Sequence, residues 1–565
     1  LTAGARPLLV PSADTLLLQL AHPDAEACRA ELAAFAELER SPDHVHTFHL
    51  SDLGLWNARA VGLDAERVID VLQRYCATPV PHAMAVRVAD TMARFGRIVI
   101  TGADDERGTG AGDSGDRDDA ADGGEGGLVV RVDDPALLDE LVADDAIAPL
   151  LGPRLDPCTA ALEPAQRGRL KQALVEARWP ADDRAAVNPG MAFPLTLADD
   201  LELRAYQRHA VDSWLPAGNG VVVLPCGAGK TVTGIAAAAA VGANTLILVT
   251  GDASLQQWRD ELVRFTTVDP DDIGIYNARR KEIRPITIAT YHVLSTRRKG
   301  ELRHLGLIEE GDWGLVIYDE VHLLPSAVFQ LTAAIQSRRR LGLTATLIRE
   351  DGRQGDVFSL VGPKRYDVPW RDLELQGWLA PVTCTEVRVV PTEAERLDHA
   401  RATGQAKARV AAGVEAKADV AARLLARHRG ERALVIGTYL DGLETMARRL
   451  DAPLVTGETP TAERLRLFDE LRTGRRSTLV VSKVANFSLD LPEVSVAIQV
   501  SGTFGSRQEE AQRLGRILRP KGDRRQAHFY TLVAQDTVEQ TYAQRRQLFL
   551  AEQGYGYEIV DADTI

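Results

Sequence analysis

The stretch Gly220-Val221-Val222-Val223-Leu224-Pro225-Cys226-Gly227-Ala228-Gly229-Lys230-Thr231 decides the fold. Its first half is a continuous apolar run, as in a strand buried on both faces. The glycines and Ala228 let backbone N–H groups turn inward on a phosphate before a helix opens at Lys230. In such a loop Lys230 reaches the β and γ phosphates of ATP and the Thr231 hydroxyl ligates Mg²⁺. The strict pattern wants a glycine where this chain has Leu224, so the loop by itself favours ATP binding over a chance glycine turn without deciding it.

A second element decides it. Leu315-Val316-Ile317-Tyr318 reads as a strand that delivers Asp319 and Glu320 at its C-terminal end, where open α/β sheets bind ligands. Asp319 is expected to hold the magnesium and Glu320 to polarise the attacking water. A surface Asp-Glu pair capping a helix is the ordinary alternative, but the preceding strand and the separate phosphate loop stand in the order that phosphoryl transfer needs. Charge that develops in that transfer is usually met by an arginine from outside the phosphate-loop domain. Gln512-Arg513-Leu514-Gly515-Arg516-Ile517-Leu518-Arg519 puts Arg516 and Arg519 on one face if helical, and these two with Gln512 complete the candidate catalytic set.

Working outward, strand-like runs alternate with helical patterns from Gly220 to Leu343, and the alternation restarts after about residue 380 with Ala433 to Ile436, Thr478 to Val481 and Val496 to Val500. Buried strands separated by helices predict parallel sheets covered on both faces, hence two α/β domains in tandem, at 196–378 and 379–565. Before them, residues 1–96 read as a small helix-rich module, in which short β-like runs at Thr15 to Gln19 and His46 to Leu50 alternate with helical patterns at Asp24 to Glu39, Ala65 to Tyr75 and His82 to Arg94. Residues 97–195 read as a small α/β unit in which a hairpin pairs Arg97 to Thr101 with Leu128 to Val132. Segment 103–127, acidic and glycine-rich, carries almost no apolar residues to offset its ordering entropy and reads as a disordered insert in that hairpin.

Composition bounds the class. At 45% hydrophobic and 26% charged residues, the 565-residue chain has the balance of a globular protein of roughly three to four domains. No window offers the roughly 18 apolar residues that a membrane-spanning helix needs, and Leu1 to Val10 does not read as a secretory signal. Five scattered cysteines without a Cys-x-x-Cys pair argue against disulfide frameworks and structural zinc, and fit a reducing cytoplasm. A net charge of −14 speaks against a nucleic-acid partner at first sight. Segment 104–127, however, holds nine acidic residues against Arg107 and Arg117. Basic clusters remain at Arg279-Arg280-Lys281, Arg297-Arg298-Lys299 and Arg338-Arg339-Arg340. Each is more often solvated surface than a phosphate track.

With these elements in order, the chain resembles the superfamily 2 helicases, and specifically the bacterial XPB family of DNA helicases. Leu224 is then the variant of the loop that helicases carry. The resemblance implies two tandem RecA-like parallel-sheet domains preceded by the small helix-rich and α/β domains. Leu203-Arg204-Ala205-Tyr206-Gln207 resembles the adenine-reading segment, with Gln207 on the base and Arg204 assisting. Thr287-Ile288-Ala289-Thr290-Tyr291 resembles a strand-contacting motif, and Leu343-Thr344-Ala345-Thr346 the motif coupling hydrolysis to movement. Arg349-Glu350-Asp351 is the triplet that marks the family and is implicated in unwinding. Val481 to Pro492 resembles its fifth motif, where Asn486 faces nucleic acid and Asp490 nucleotide.

The resemblance further implies 3′ to 5′ travel on single-stranded, forked or distorted DNA, driven by ATP with Mg²⁺, in a repair process such as nucleotide excision repair. Two alternatives stay open: a translocase that pumps duplex DNA without separating strands, and an ATP-switched DNA-binding scaffold. The chain shows no nuclease constellation, so cleavage would need another protein; the resemblance offers either a partner repair nuclease, as in archaeal members, or a large transcription and repair complex, as in eukaryotic ones. A cytoplasmic monomer, on the nucleoid when bound to DNA, is the expected form. Residues 100–180 resemble the family's damage-recognition domain. Pro391 to Glu415, with the thumb-like insertion expected at 391–417, contains no Phe, Tyr or Trp. Base stacking there is implausible, which leaves Lys407, Arg409 and Lys417 for phosphate contact.

Overall fold

Aliphatic runs separated by helices build two parallel sheets in the computed structural model, which describes residues 6–40, 45–102, 127–184, 190–295, 297–298, 301–302, 307, 311–323, 337, 339–345, 354–482, 494–502, 526–552 and 557–565. The first sheet comprises β1 (Asn219–Val223), β2 (Thr245–Val249), β3 (Ile273–Tyr276), β4 (Ile286–Thr290), β5 (Leu315–Asp319), β6 (Arg339–Thr344) and β7 (Lys364–Asp367). The order across it is β3-β4-β2-β5-β6-β1-β7, and every pair is parallel. The second comprises β8 (Val382–Val389), β9 (Ala433–Gly437), β10 (Leu454–Val455), β11 (Thr478–Ser482), β12 (Val496–Gln499), β13 (Ala527–Ala534) and β14 (Tyr557–Asp561). It is again parallel throughout, and its order, β10-β11-β9-β12-β13-β8-β14, repeats the first strand for strand.

Sequence dictates this layering. Strands β2, β4 and β9 are buried at every position, so they show no polar alternation and must be covered on both faces. Helix α1 (Ala205–Trp214) precedes β1, and α2 (Lys230–Val241) follows it. The alanines of α2 allow close packing: Ala236, Ala237 and Ala238 are all buried. Helix α3 (Asp252–Phe265) then buries Leu255, Trp258 and Leu262, one helical face.

Ahead of these sheets, the residues expected to be helix-rich do carry helices at Asp52–Ala60, Ala65–Tyr75 and His82–Arg94. They also carry a four-stranded antiparallel sheet, ordered Leu8–Leu9, Thr15–Gln19, Val45–His49, Glu37–Arg40. The expected hairpin is present one residue along, pairing Ile98–Gly102 with Leu128–Val132 from Ile98 opposite Val132 to Gly102 opposite Leu128. It lies in a five-stranded sheet over a core of Ile100, Val130, Leu138 and Leu170. Of the acidic segment between the two strands, 103–126 lies outside the described residues.

The chain divides into two compact units, Leu1–Val223 with Thr231–Asp367, and Leu224–Lys230 with Val368–Ile565. Within the first, a buried charge cluster fastens the five-stranded sheet to the first parallel sheet. The Asp183 carboxylate accepts from Arg167 Nη2 at 2.8 Å and Lys171 Nζ at 2.8 Å, and the Asp183 carbonyl accepts from Asn219 Nδ2 of β1 at 3.0 Å. Burial works to raise the Asp183 carboxyl, but the two cations overrule it and hold the group far below the carboxylate range. The second unit has its own buried pair, and here one expectation is corrected. Lys417 does not reach toward phosphate. It is wholly buried, donating to Glu539 Oε2 at 2.7 Å and the Val500 carbonyl at 2.9 Å. Its neighbours on α5, which runs Ala416–Arg427 after α4 (Glu393–Arg401), are also inward-facing: Ala418, Val420, Ala421 and Leu424. That apolar periodicity takes Lys417 into the core, where Glu539 neutralises it.

Candidate functional site

The phosphate loop leaves β1 and enters α2 through two residues in the left-handed region, Gly227 at φ +84° and Gly229 at φ +78°. Side chains with a Cβ adopt that region rarely, which explains both glycines. Between them Ala228 is fully buried and donates its N–H to the Pro225 carbonyl at 3.1 Å, closing the turn. Lys230 stands at the start of α2 with its Nζ 3.8 Å from Cys226 Sγ. Thr231 follows, 8% exposed.

Asp319 ends β5, as the sequence predicts. Two aromatic side chains anchor it. The Trp258 indole of α3 donates Nε1–H to Asp319 Oδ2 at 3.0 Å, and the Tyr291 hydroxyl donates to the Asp319 carbonyl at 2.9 Å. Burial, helped by the charges of Asp319 and Glu320, pushes the Tyr291 phenol well above its ordinary value, so it stays a donor. The preceding residue on α3, Gln257, brings Nε2 to 3.5 Å from Thr231 Oγ1, at the outer limit of a hydrogen bond, and donates to Glu261 at 2.8 Å. Consecutive residues of one helix therefore approach both expected metal-holding oxygens.

Glu320 has φ +49°, an uncommon conformation for a residue with a Cβ and the kind of local strain that gathers at functional sites. It turns the chain so that His322 comes back toward it, Nδ1 to Oε2 at 3.6 Å. The same His322 Nδ1 shares a 2.6 Å hydrogen bond with the hydroxyl of Thr344, at the end of β6. Two motifs read separately in the sequence, Asp319 to His322 and Leu343 to Thr346, thus meet through one buried contact. Thr344 is fully buried and Thr290 nearly so, which places them behind the surface and not on it.

Other expected residues find definite places. Gln207 is buried on α1, where its Oε1 accepts from the Arg204 N–H at 2.9 Å, and the Arg204 guanidinium reaches the Tyr206 hydroxyl at 2.9 Å. The pair expected to read adenine is thus held together at a helix start. Thr346, Arg349, Glu350, Asp351, Asn486, Asp490, Gln512, Arg516 and Arg519 lie outside the described residues.

A hydroxyl and a carboxylate suit Mg²⁺, a hard ion that takes oxygen donors and keeps other positions for phosphate and water. Thr231 and Asp319 are the residues that would hold it. Trp258 escaped the sequence reading because a tryptophan on an amphipathic helix reads as core, and no local pattern announces a hydrogen bond to a strand 61 residues away.

Comparison with known proteins now bears on this geometry. The chain is 56% identical over 560 residues to the DNA 3′-5′ helicase XPB of Kineococcus radiotolerans, covering 99% of this chain and 97% of that protein. It is 53% identical to the DNA 3′-5′ helicase XPB of Mycobacterium tuberculosis, again over 99% of this chain and 98% of the relative. The chain belongs to the XPB family. The model of the ERCC3/RAD25/XPB C-terminal helicase matches residues 373–564, that of the type III restriction enzyme res subunit 200–349, and one described as a helicase conserved C-terminal domain 8–156. A more distant XPB, the transcription and DNA repair factor IIH helicase/translocase subunit of Antonospora locustae, is 33% identical over 98% of this chain and 82% of its own length. Thr231, Asp319 and His322 thus stand around the first of two parallel sheets in a chain that belongs to a helicase family.

Proposed function

We propose that this XPB-family protein is an ATP-dependent DNA helicase moving 3′ to 5′ and opening DNA for repair. The observation that carries the reading is the convergence on α3 of the Thr231 hydroxyl and the Asp319 carboxylate, one from the helix behind the phosphate loop and one from the acidic strand end. When Mg²⁺ is bound there, it neutralises charge on the phosphates of ATP. The rest falls to the chain. Loop N–H groups and Lys230 bind the β and γ phosphates, while Glu320, set by its left-handed backbone, orients water and takes its proton. Arg516 and Arg519, with Gln512, are assigned to the charge that develops on the γ phosphate. His322 and Thr344 give hydrolysis a route into the backbone that leads on to Arg349, Glu350 and Asp351.

Relatives of this chain carry 3′-5′ helicase in their names, which supports the polarity. The test is ATP turnover with no DNA, single-stranded DNA, duplex and bubble DNA, beside strand displacement on forks carrying either a 3′ or a 5′ loading strand. DNA-stimulated turnover with displacement from the 3′ tail is expected, and Lys230→Ala should sharply reduce both. Stimulation by no DNA would sink the motor. Triplex displacement without strand separation would replace unwinding by duplex translocation.

A further inference from the structure

Trp258 is 1% exposed, and its only polar atom is spent on the Asp319 carboxylate. The indole has a slot made for it. A Cβ at Gly234 of α2 would lie 2.5 Å from Trp258 Cη2 and 3.0 Å from Leu343 Cδ1, so only a glycine lets the ring slide between α2 and β6. One edge of the ring therefore rests against the helix that carries Thr231, and the other holds Asp319. With Oδ2 held by the indole and the backbone carbonyl held by Tyr291, rotation of the carboxylate about its last bond is restrained.

We infer that Trp258 is a positioning residue for the metal: its N–H fixes the rotamer of the Asp319 carboxylate, and its ring fixes the distance from that carboxylate to the helix bearing Thr231. The inference rests on the ATPase reading above. Groups that orient a metal ligand from behind commonly change metal affinity about 10-fold or more when removed. A tryptophan serving as core filler alone would affect stability and leave the metal dependence untouched.

The test uses the full chain with Trp258→Phe. It also uses a variant carrying benzothienylalanine at 258, which keeps the indole shape and replaces the N–H by sulfur. The readout is binding of a fluorescent ADP analogue across a Mg²⁺ titration, with thermal unfolding measured in parallel. The expected result is an analogue affinity without Mg²⁺ within about twofold of the parent and a half-saturating Mg²⁺ concentration about tenfold higher in both variants. Added to Asp319→Asn, Trp258→Phe should bring no further change in Mg²⁺ dependence, because the carboxylate it orients is already gone. An unchanged half-saturating Mg²⁺ in the folded benzothienylalanine variant overturns the inference while leaving the ATPase reading intact. Parent protein whose nucleotide binding ignores Mg²⁺ overturns both.

Discussion

Two sheets of one strand order end their matching strands in opposite ways. In the first, β1 runs into six loop residues, two of them left-handed glycines, and then α2. In the second, β8 holds the matching place but is followed by only Val390, Pro391 and Thr392 before α4. There the helix start is capped by the chain's own side chains. Thr392 N–H donates to Glu395 Oε2 at 2.7 Å, Glu395 N–H to Thr392 Oγ1 at 3.3 Å, and Glu415 N–H to Glu395 Oε1 at 2.9 Å. A carboxylate of the chain fills the place that a phosphate is proposed to fill in the first sheet.

The second contrast follows from register. Leu315 sits opposite Thr245 in one sheet and Val496 opposite Ala433 in the other, so the place of Asp319 falls to Val500. No side-chain ligand is offered there. Instead the Val500 carbonyl receives the buried Lys417 ammonium, already paired with Glu539. One strand order therefore ends two matching strands in a glycine loop and a carboxylate in the first sheet, and in a self-capped helix start and an ammonium-bound carbonyl in the second. The nucleotide-holding role proposed for the first sheet thus rests on a few loop residues and strand-end side chains, while the sheet supplies only their placement.

The hardest test of that asymmetry exchanges the matching positions. Lys230→Ala should lower ATP turnover by about 10²–10³-fold, the scale of losing one preorganised electrostatic contact. Thr392→Ala should leave turnover within about twofold, since that loop is closed on itself. Comparable losses from both would break the comparison. Next in size is the ammonium-bound strand end. Lys417→Met leaves Glu539 buried with the Ala534 N–H as its other hydrogen-bond donor, at 3.0 Å, and should cost about 3–5 kcal/mol in urea unfolding. Lys417→Met with Glu539→Leu should recover most of that, because no uncompensated charge remains. A double variant as unstable as the single one would mean that the pair does more than neutralise itself.

How much of this could be read from the chain follows a physical division. Strands β1, β2, β5 and β9 were legible because burial on both faces leaves an unbroken apolar run, and the Lys230 and Asp319 loops because their chemistry is local in sequence. The antiparallel sheet in residues 6–49 was only half legible: Thr15 to Gln19 and His46 to Leu50 read as β-like, whereas most of Glu37–Arg40, which pairs with Val45–His49, fell inside the helical pattern Asp24 to Glu39. Lys417 misled because a lysine is nearly always solvated, and only the fold shows that Glu539, 122 residues on, waits for it. Contacts at long separation, such as Trp258 with Asp319 or His322 with Thr344, leave no local trace at all.

Two smaller effects sharpen the contrast. Gly234→Ala drives a methyl into the Trp258 ring, at 2.5 Å, and should destabilise the first unit by about 1–3 kcal/mol, as overpacking does. Urea unfolding would register it, and a neutral result would show that the slot between α2 and β6 is loose.

The smallest effect belongs to the self-capped helix. Thr392→Ala removes one side of the box and should cost about 1 kcal/mol, the usual worth of an N-cap hydroxyl. Its pH dependence carries a sign. Burial opposes the Glu395 carboxylate, but the Glu415 and Thr392 N–H groups, joined by the Thr392 hydroxyl at 2.8 Å, prevail and hold its pKa below the ordinary value. A depressed folded pKa means that the contribution is whole above the unfolded value of about 4.3 and fades as pH falls through the lower folded one. Thr392→Ala should therefore narrow the gap between stability at pH 7 and at pH 3, while Lys230→Ala should leave that gap unchanged. If acid spares the parent and the Thr392 variant alike, the carboxylate is not what closes this helix start, and the second sheet would be as ready for an anion as the first.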